Sequence, residues 1–190
     1  MRIFLVRHGE AVKVNNDSIL TKNGIKQAIN VANMLKKLPL DIAFTSNLTR
    51  AKQTFEEYKK LDPKIKTEVN EELKEIYRVI LGGPIKEGTP KDREKNDRLR
   101  ADNFYKNMIK LKENNIVIFT HGNLIRYFLA KAMNVEPKGL WHKILISPGS
   151  VSIIEVEDEI VQVKAINLYE HQKKFFNEFL KGNITKENYL

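Results

Sequence analysis

Cysteine is absent from the 190-residue chain. That absence excludes disulfides, thiolate metal sites and a cysteine nucleophile, and it fits a reducing compartment. Long apolar runs are also missing: nothing approaches the roughly 18 consecutive apolar residues needed to cross a bilayer. The opening Met1-Arg2-Ile3-Phe4-Leu5-Val6 is too short an apolar run for a secretory signal and is ended by Arg7-His8. A cytoplasmic location is the expectation. Glycine and proline are sparse, and they gather only from Gly82-Gly83-Pro84 to Pro90, which reads as a loop excursion rather than a linker. No low-complexity tract or long repeat is present. One domain over 1–190 is therefore expected, with an excursion at about 77–100.

What the chain has in excess is positive charge, 33 basic against 24 acidic residues, a net +9. A basic surface attracts anions, which keeps phosphorylated substrates, nucleic acid and anionic membranes in play. The two signs are interleaved along the chain, as on a solvated Lys-rich surface. No nucleic-acid motif or alternating aromatic and basic patch accompanies them. Neither nucleic acid nor membrane is expected as a partner. Steep salt dependence of binding to generic DNA would reverse that expectation.

Apolar stretches rich in β-branched residues predict strands at 3–6, 41–45, 65–69, 115–120, 151–156 and 160–166. The last two flank Glu157-Asp158-Glu159, a tight polar turn, and predict an antiparallel hairpin at a sheet edge. Ile25, Ala28, Ile29, Ala32 and Leu35 predict one helix face, with Thr21 as N-cap. Ala101, Phe104, Tyr105, Met108 and Leu111 predict a second, and 124–133 is apolar nearly all round. Strands alternating with helices predict an α/β sandwich with a mostly parallel sheet. A C-terminal helix at about 170–181 carries Phe175, Phe176, Phe179 and Leu180 on one face. That face packs on its own domain or makes a homodimer contact.

The informative pattern is an internal echo. Phe4-Leu5-Val6 runs into Arg7-His8-Gly9-Glu10, and Val117-Ile118-Phe119-Thr120 runs into His121-Gly122-Asn123. A third strand ends in Ser46-Asn47-Leu48-Thr49-Arg50, the opening of a helix. Ligands of open α/β sheets bind beyond the carboxyl ends of the strands. If these three strands are parallel neighbours, His8, His121, Arg7 and Arg50 converge there. Such a set suits a phosphoryl group. Arginine offers a planar fork of donors, and helix N–H groups, here those of Gly122 and Asn123, add more. One neutral imidazole can attack phosphorus while the other donates to the phosphoryl oxygens. Glycine after each histidine lets the backbone turn and approach the anion. Two histidines could instead hold a metal, but no third ligand accompanies them and Arg7 would repel a cation. Departure of an alkoxide calls for a carboxylic acid, for which Glu71, Glu72 and Glu75 are the candidates.

These residues resemble the histidine phosphatase superfamily, the phosphoglycerate-mutase-like proteins. Arg7-His8-Gly9 resembles its defining motif, and Leu20-Thr21, Gly24, Gln27 and Ala28 its first-helix signature. The segment from Ser46 through Arg50 to Thr54 resembles the part bearing its second arginine. Leu73-Lys74-Glu75 resembles the part bearing its acid, and His121-Gly122 its second histidine. The resemblance implies a three-layer α/β/α sandwich and a metal-independent phosphatase without cofactor. It implies a phosphohistidine on His8, phosphoryl binding by Arg7, Arg50 and His121, and Glu75 as the acid. Residues 121–128 with 137–141 are most similar to the phosphoglycerate-mutase-like protein Ser/Thr phosphatases.

There are departures. Many relatives carry an asparagine six residues after the nucleophile, where this chain has Val14, with Asn15 or Asn16 as substitutes. The Trp-Glu-Gly often found after the acid is missing, and the chain is shorter than a typical mutase. A phosphomonoesterase is the leading expectation, acting on a phosphorylated small molecule. Removal of phosphate from phosphohistidine or phosphoserine/threonine proteins is the alternative, and a phosphoglycerate mutase comes last.

Overall fold

A computed structural model describes residues 1–15 and 17–169. The helix expected at about 170–181, with its Phe175–Leu180 face, lies outside the described residues, as does Asn16.

The main sheet has six strands. They are β1 (Arg2–Arg7), β4 (Ile42–Ser46), β5 (Lys66–Asn70), β6 (Asn115–Thr120), β7 (Val151–Glu157) and β8 (Ile160–Leu168). Their order is β5-β4-β6-β1-β7-β8. The first four are mutually parallel, while β7 runs antiparallel to β1 and β8 antiparallel to β7. The β7–β8 turn places Asp158 and Glu159 at φ 48° and 67°, the left-handed pair that a tight hairpin requires. A small antiparallel ribbon, β2 (Ala11–Val14) and β3 (Asp17–Leu20), lies outside the main sheet. Its strands are four residues each, with Val12, Val14 and Ile19 exposed, and the sequence pattern predicts no strand there.

Parallel strands are covered on both faces, which is why their sequences read as unbroken apolar runs. In β1, Ile3, Phe4, Leu5 and Val6 are all fully buried. Phe4 and Val6 point to one core with Val31, Ala32 and Leu35 of α1 (Lys22–Leu35) and Phe55 and Tyr58 of α2 (Thr49–Lys59). Ile3 and Leu5 point to the other, with Phe104 and Met108 of α3 (Arg93–Met108) and Leu124 and Phe128 of α4 (Gly122–Ala132). Ile116 and Ile118 of β6 join the second core, and Val117 and Phe119 the first. The expected three-layer α/β/α sandwich with a mostly parallel sheet is the fold observed.

Two local readings need correction. Thr21 caps α1 as expected, accepting from Gly24 N at 2.9 Å. The buried face of α1, however, is Gly24, Ala28, Val31, Ala32, Met34 and Leu35, while Ile25 and Ile29 are 42% and 41% exposed. Small residues face inward because the helix lies against the backbone after β1. A Cβ on Gly24 would fall 2.0 Å from Glu10 O, and one on Gly9 would fall 2.3 Å from Gly24 O. Gly9 is therefore required by the helix it packs against. Gly24→Ala is expected to destabilise the protein by about 3 kcal/mol or more, since backbone rather than a flexible side chain must yield. Denaturant unfolding against Ala28→Gly, whose effect should stay near 1 kcal/mol or somewhat above, checks this.

Candidate active site

β1, β6 and β4 are adjacent and parallel, so their carboxyl ends form one rim. Arg7 stands opposite Thr120 in the ladder, and the next residues along are His8 and His121. His8 N donates to Thr120 O at 3.0 Å, which locks the two strand ends together. The imidazole centroids lie 5.1 Å apart, edge to face. Arg50 in the first turn of α2 donates from Nε to His8 Nε2 at 3.0 Å.

The tautomer of His8 follows from its contacts. Its Nδ1 lies 2.7 Å from Gly9 O. A carbonyl only accepts, so Nδ1 carries the proton. Nε2 then presents its lone pair, consistent with the N–H of Arg50 pointing at it. Burial, with Arg50 and Arg7 alongside, outweighs the Gly9 carbonyl and pushes the His8 pKa down to about 3. The ring is therefore neutral near pH 7. His121, fully buried, is also held well below the usual histidine range by burial, His8 and the arginines.

Two buried nitrogens, one on Arg7 and one on His121, are without partners. Arg7 spends Nη1 on Ile146 O, while its buried Nε has no hydrogen bond. His121 turns Nε2 to Ser46 Oγ at 3.0 Å, and its buried Nδ1 has no hydrogen bond. Buried polar atoms left unpaired are uncommon and costly, which marks both as places for a ligand's polar group.

Of the three glutamates, Glu75 is the one brought to this rim. Its Oε1 accepts from Ile76 N, Asn123 N and Leu124 N at 3.2, 3.1 and 3.2 Å. Glu71 is exposed and pairs with Lys74. The amide of Glu72 is capped by Asn70. Burial pushes the Glu75 carboxyl up, against the pull of Arg7, Arg50 and the backbone N–H groups. All three N–H groups go to Oε1, and none of them to Oε2.

Asn123 departs from its expected role. Its N–H goes to Glu75, its side-chain NH2 to Ile76 O at 3.3 Å, and its Oδ1 accepts from Arg126. These contacts tie it to the acid's segment: the backbone N–H is engaged by Glu75, and one of the two side-chain N–H groups by Ile76 O. Gly122 serves by its lack of a side chain, since a Cβ there would meet Arg7 Nε at 3.2 Å. Val14 is 43% exposed on β2, and Asn15 occupies a turn with φ 54°.

Several contributors carry no chemical signal in the sequence. Thr54 accepts from Gly9 N at 3.1 Å and donates to Arg50 O at 2.8 Å, joining the nucleophile's neighbour to α2. Gln27 Oε1 accepts from Glu10 N. Arg126 donates to Ile144 O at 2.7 Å, close to the Ile146 carbonyl that holds Arg7. Thr54 and Gln27 sit inside the motif segments, where their spacing could have marked them. Among the described residues, no group of three His, Asp or Glu could hold a metal ion.

Comparisons with known proteins place the chain in a family and give its fold. The family profile described as histidine phosphatase superfamily (branch 1) matches residues 3–99 and 93–169. The chain is 29% identical to the mitochondrial serine/threonine-protein phosphatase Pgam5 of Drosophila ananassae, with 81% of this chain and 58% of that protein covered. It thus spans less than two thirds of that relative's length. The α-ribazole phosphatase of Shigella flexneri superposes with a TM-score of 0.74 at 20% identity, covering 88% of this chain and 96% of that one. A phosphoserine phosphatase of Entamoeba histolytica, bound to phosphoserine, gives 0.65 at 23% identity, covering 87% and 96%. The two structural likenesses establish the fold.

Proposed function

Because the chain belongs to the histidine phosphatase superfamily, we propose that it hydrolyses phosphomonoesters through a phosphohistidine on His8, without a metal ion. The observation that carries this reading is the pairing of His8 Nδ1 with Gly9 O, which leaves a neutral ring with Nε2 facing Arg50. In the first step the Nε2 lone pair attacks phosphorus and the ester P–O bond breaks. Glu75 gives its proton to the departing oxygen. The positive charge that develops on the ring is shared with the Gly9 carbonyl through Nδ1–H. Arg50, Arg7 Nε and His121 Nδ1 donate to the phosphoryl oxygens as they gain charge. In the second step water attacks phosphorus, Glu75 takes its proton and the P–N bond breaks. Phosphate leaves and His8 returns to its neutral form.

The substrate class we infer is a phosphorylated hydroxyl group. The named activities of the relatives, on serine/threonine phosphoproteins and on phosphoserine, favour a phosphorylated protein side chain or a small phosphoester over a mutase substrate. Among the described residues no helix is long and apolar enough to cross a membrane. A cytoplasmic location belongs to the same proposal, and cell fractionation tests it. Function itself is tested by hydrolysis of an aryl phosphate with excess chelator present. Unchanged turnover is expected. Activity that vanishes and returns with an added divalent cation would refute the metal-free mechanism.

A further inference from the structure

We propose that Ser46 is a positioning residue that selects the tautomer of His121, so that this ring meets the phosphoryl group as a donor. The inference rests on the phosphatase reading above for its functional part only. Ser46 is fully buried at the end of β4. Its Oγ accepts from Leu48 N at 3.3 Å and lies 3.0 Å from His121 Nε2. No other acceptor for its hydroxyl proton is recorded among the described residues.

A neutral histidine carries one ring proton, so two arrangements are open. If Nε2 were protonated, Ser46 Oγ would accept twice, its own proton would have no acceptor, and Nδ1 would be an unpaired lone pair. With the proton on Nδ1, Ser46 donates to Nε2, and of the Ser46–His121 pair only the Nδ1–H donor is left unpaired. The second arrangement leaves one group unsatisfied where the first leaves two, and each costs free energy in a dry site. It is also the one that suits an anion, since a lone pair at Nδ1 would repel phosphoryl oxygens. A histidine ring free in water prefers its proton on Nε2, so the useful form needs a partner that holds the other one.

The two histidines are thus set oppositely. A carbonyl, which only accepts, turns His8 into a lone-pair donor at Nε2. A hydroxyl that already accepts from Leu48, and whose own proton needs an acceptor, turns His121 into a proton donor at Nδ1. In the sequence the two rings look alike, each a histidine before glycine, and the difference lies wholly in what stands behind them.

The test reads the ring directly. The chain has four histidines, so a long-range proton–nitrogen correlation spectrum of ¹⁵N-histidine protein is simple, and a His121→Gln variant assigns the signal. At neutral pH the native His121 should show a protonated Nδ1 and an unprotonated Nε2. In Ser46→Ala the pattern should shift towards protonated Nε2. The kcat for an aryl phosphate should fall by about 10²-fold while KM changes by less than about threefold, the behaviour of a donor that acts on developing charge. A protonated Nε2 in the native protein overturns the proposal, and that spectrum needs no variant to fold. A pattern unchanged in Ser46→Ala, or a shifted pattern with kcat unchanged, overturns it as well. A native enzyme inactive on every phosphomonoester would sink the proposed function, whereas the tautomer assignment would still stand or fall by the spectrum.

Discussion

Replacing His8 by alanine is expected to lower kcat on an aryl phosphate by about 10⁴-fold or more, with the fold retained. Loss of a covalent nucleophile removes the low-barrier route altogether, whereas loss of a binding group only weakens it. The fold should survive because the side-chain hydrogen bonds of His8 go only to its own neighbour Gly9 and to Arg50. The backbone contact with Thr120 is untouched by the substitution. Circular dichroism and unfolding checked beside the kinetics separate lost chemistry from lost structure. Residual activity within tenfold of native would remove His8 from the nucleophile's role.

Glu75→Gln is expected to slow an alkyl phosphate by about 10²–10⁴-fold and an aryl phosphate far less. A phenolate leaves without help, while an alkoxide needs a proton as the bond breaks. The substitution is clean, because the amide oxygen can still accept from the N–H groups of Ile76, Asn123 and Leu124. What glutamine cannot do is release a proton. The same assignment fixes a pH dependence. Burial raises the Glu75 pKa, so the acid form persists above the ordinary glutamate range. Alkyl-ester turnover should fall as pH rises through that raised value, and the glutamine variant should lose this alkaline limb. Since His8 stays neutral down to about pH 3, its protonation should not shape the profile near pH 6.5. Equal losses on both ester types would take the acid role from Glu75.

The parts of this account visible in the sequence share a physical cause. β1 and β6 are buried on both faces, so each reads as a continuous apolar run, and the residue where each run stops is a histidine at the rim. Arg50 was legible because a helix opens directly after β4. The arrangement of α1 was not, since its inward face is set by contact between Gly24 and the backbone at Gly9 and Glu10. Apolar periodicity therefore favoured Ile25 and Ile29 wrongly. Asn123 read as a phosphate ligand from its place at a helix start, and its backbone N–H and one side-chain N–H go to Glu75 and Ile76, in a segment that precedes it by nearly fifty residues. Ser46 gave no chemical signal at all, because its role exists only across the gap between two strands. Among three nearby glutamates the resemblance pointed to Glu75, and the physical reason, the N-terminal amides of α4 that hold it, lies in the fold.

The central claim is that the Nε2 lone pair of His8 takes the phosphoryl group. Native enzyme mixed with a radiolabelled aryl phosphate and quenched in alkali within the first turnover tests it most directly. Label bound to protein, stable in base, released in acid and confined to the peptide containing His8 is the predicted result. Label that survives acid, or label on any other residue, would contradict it.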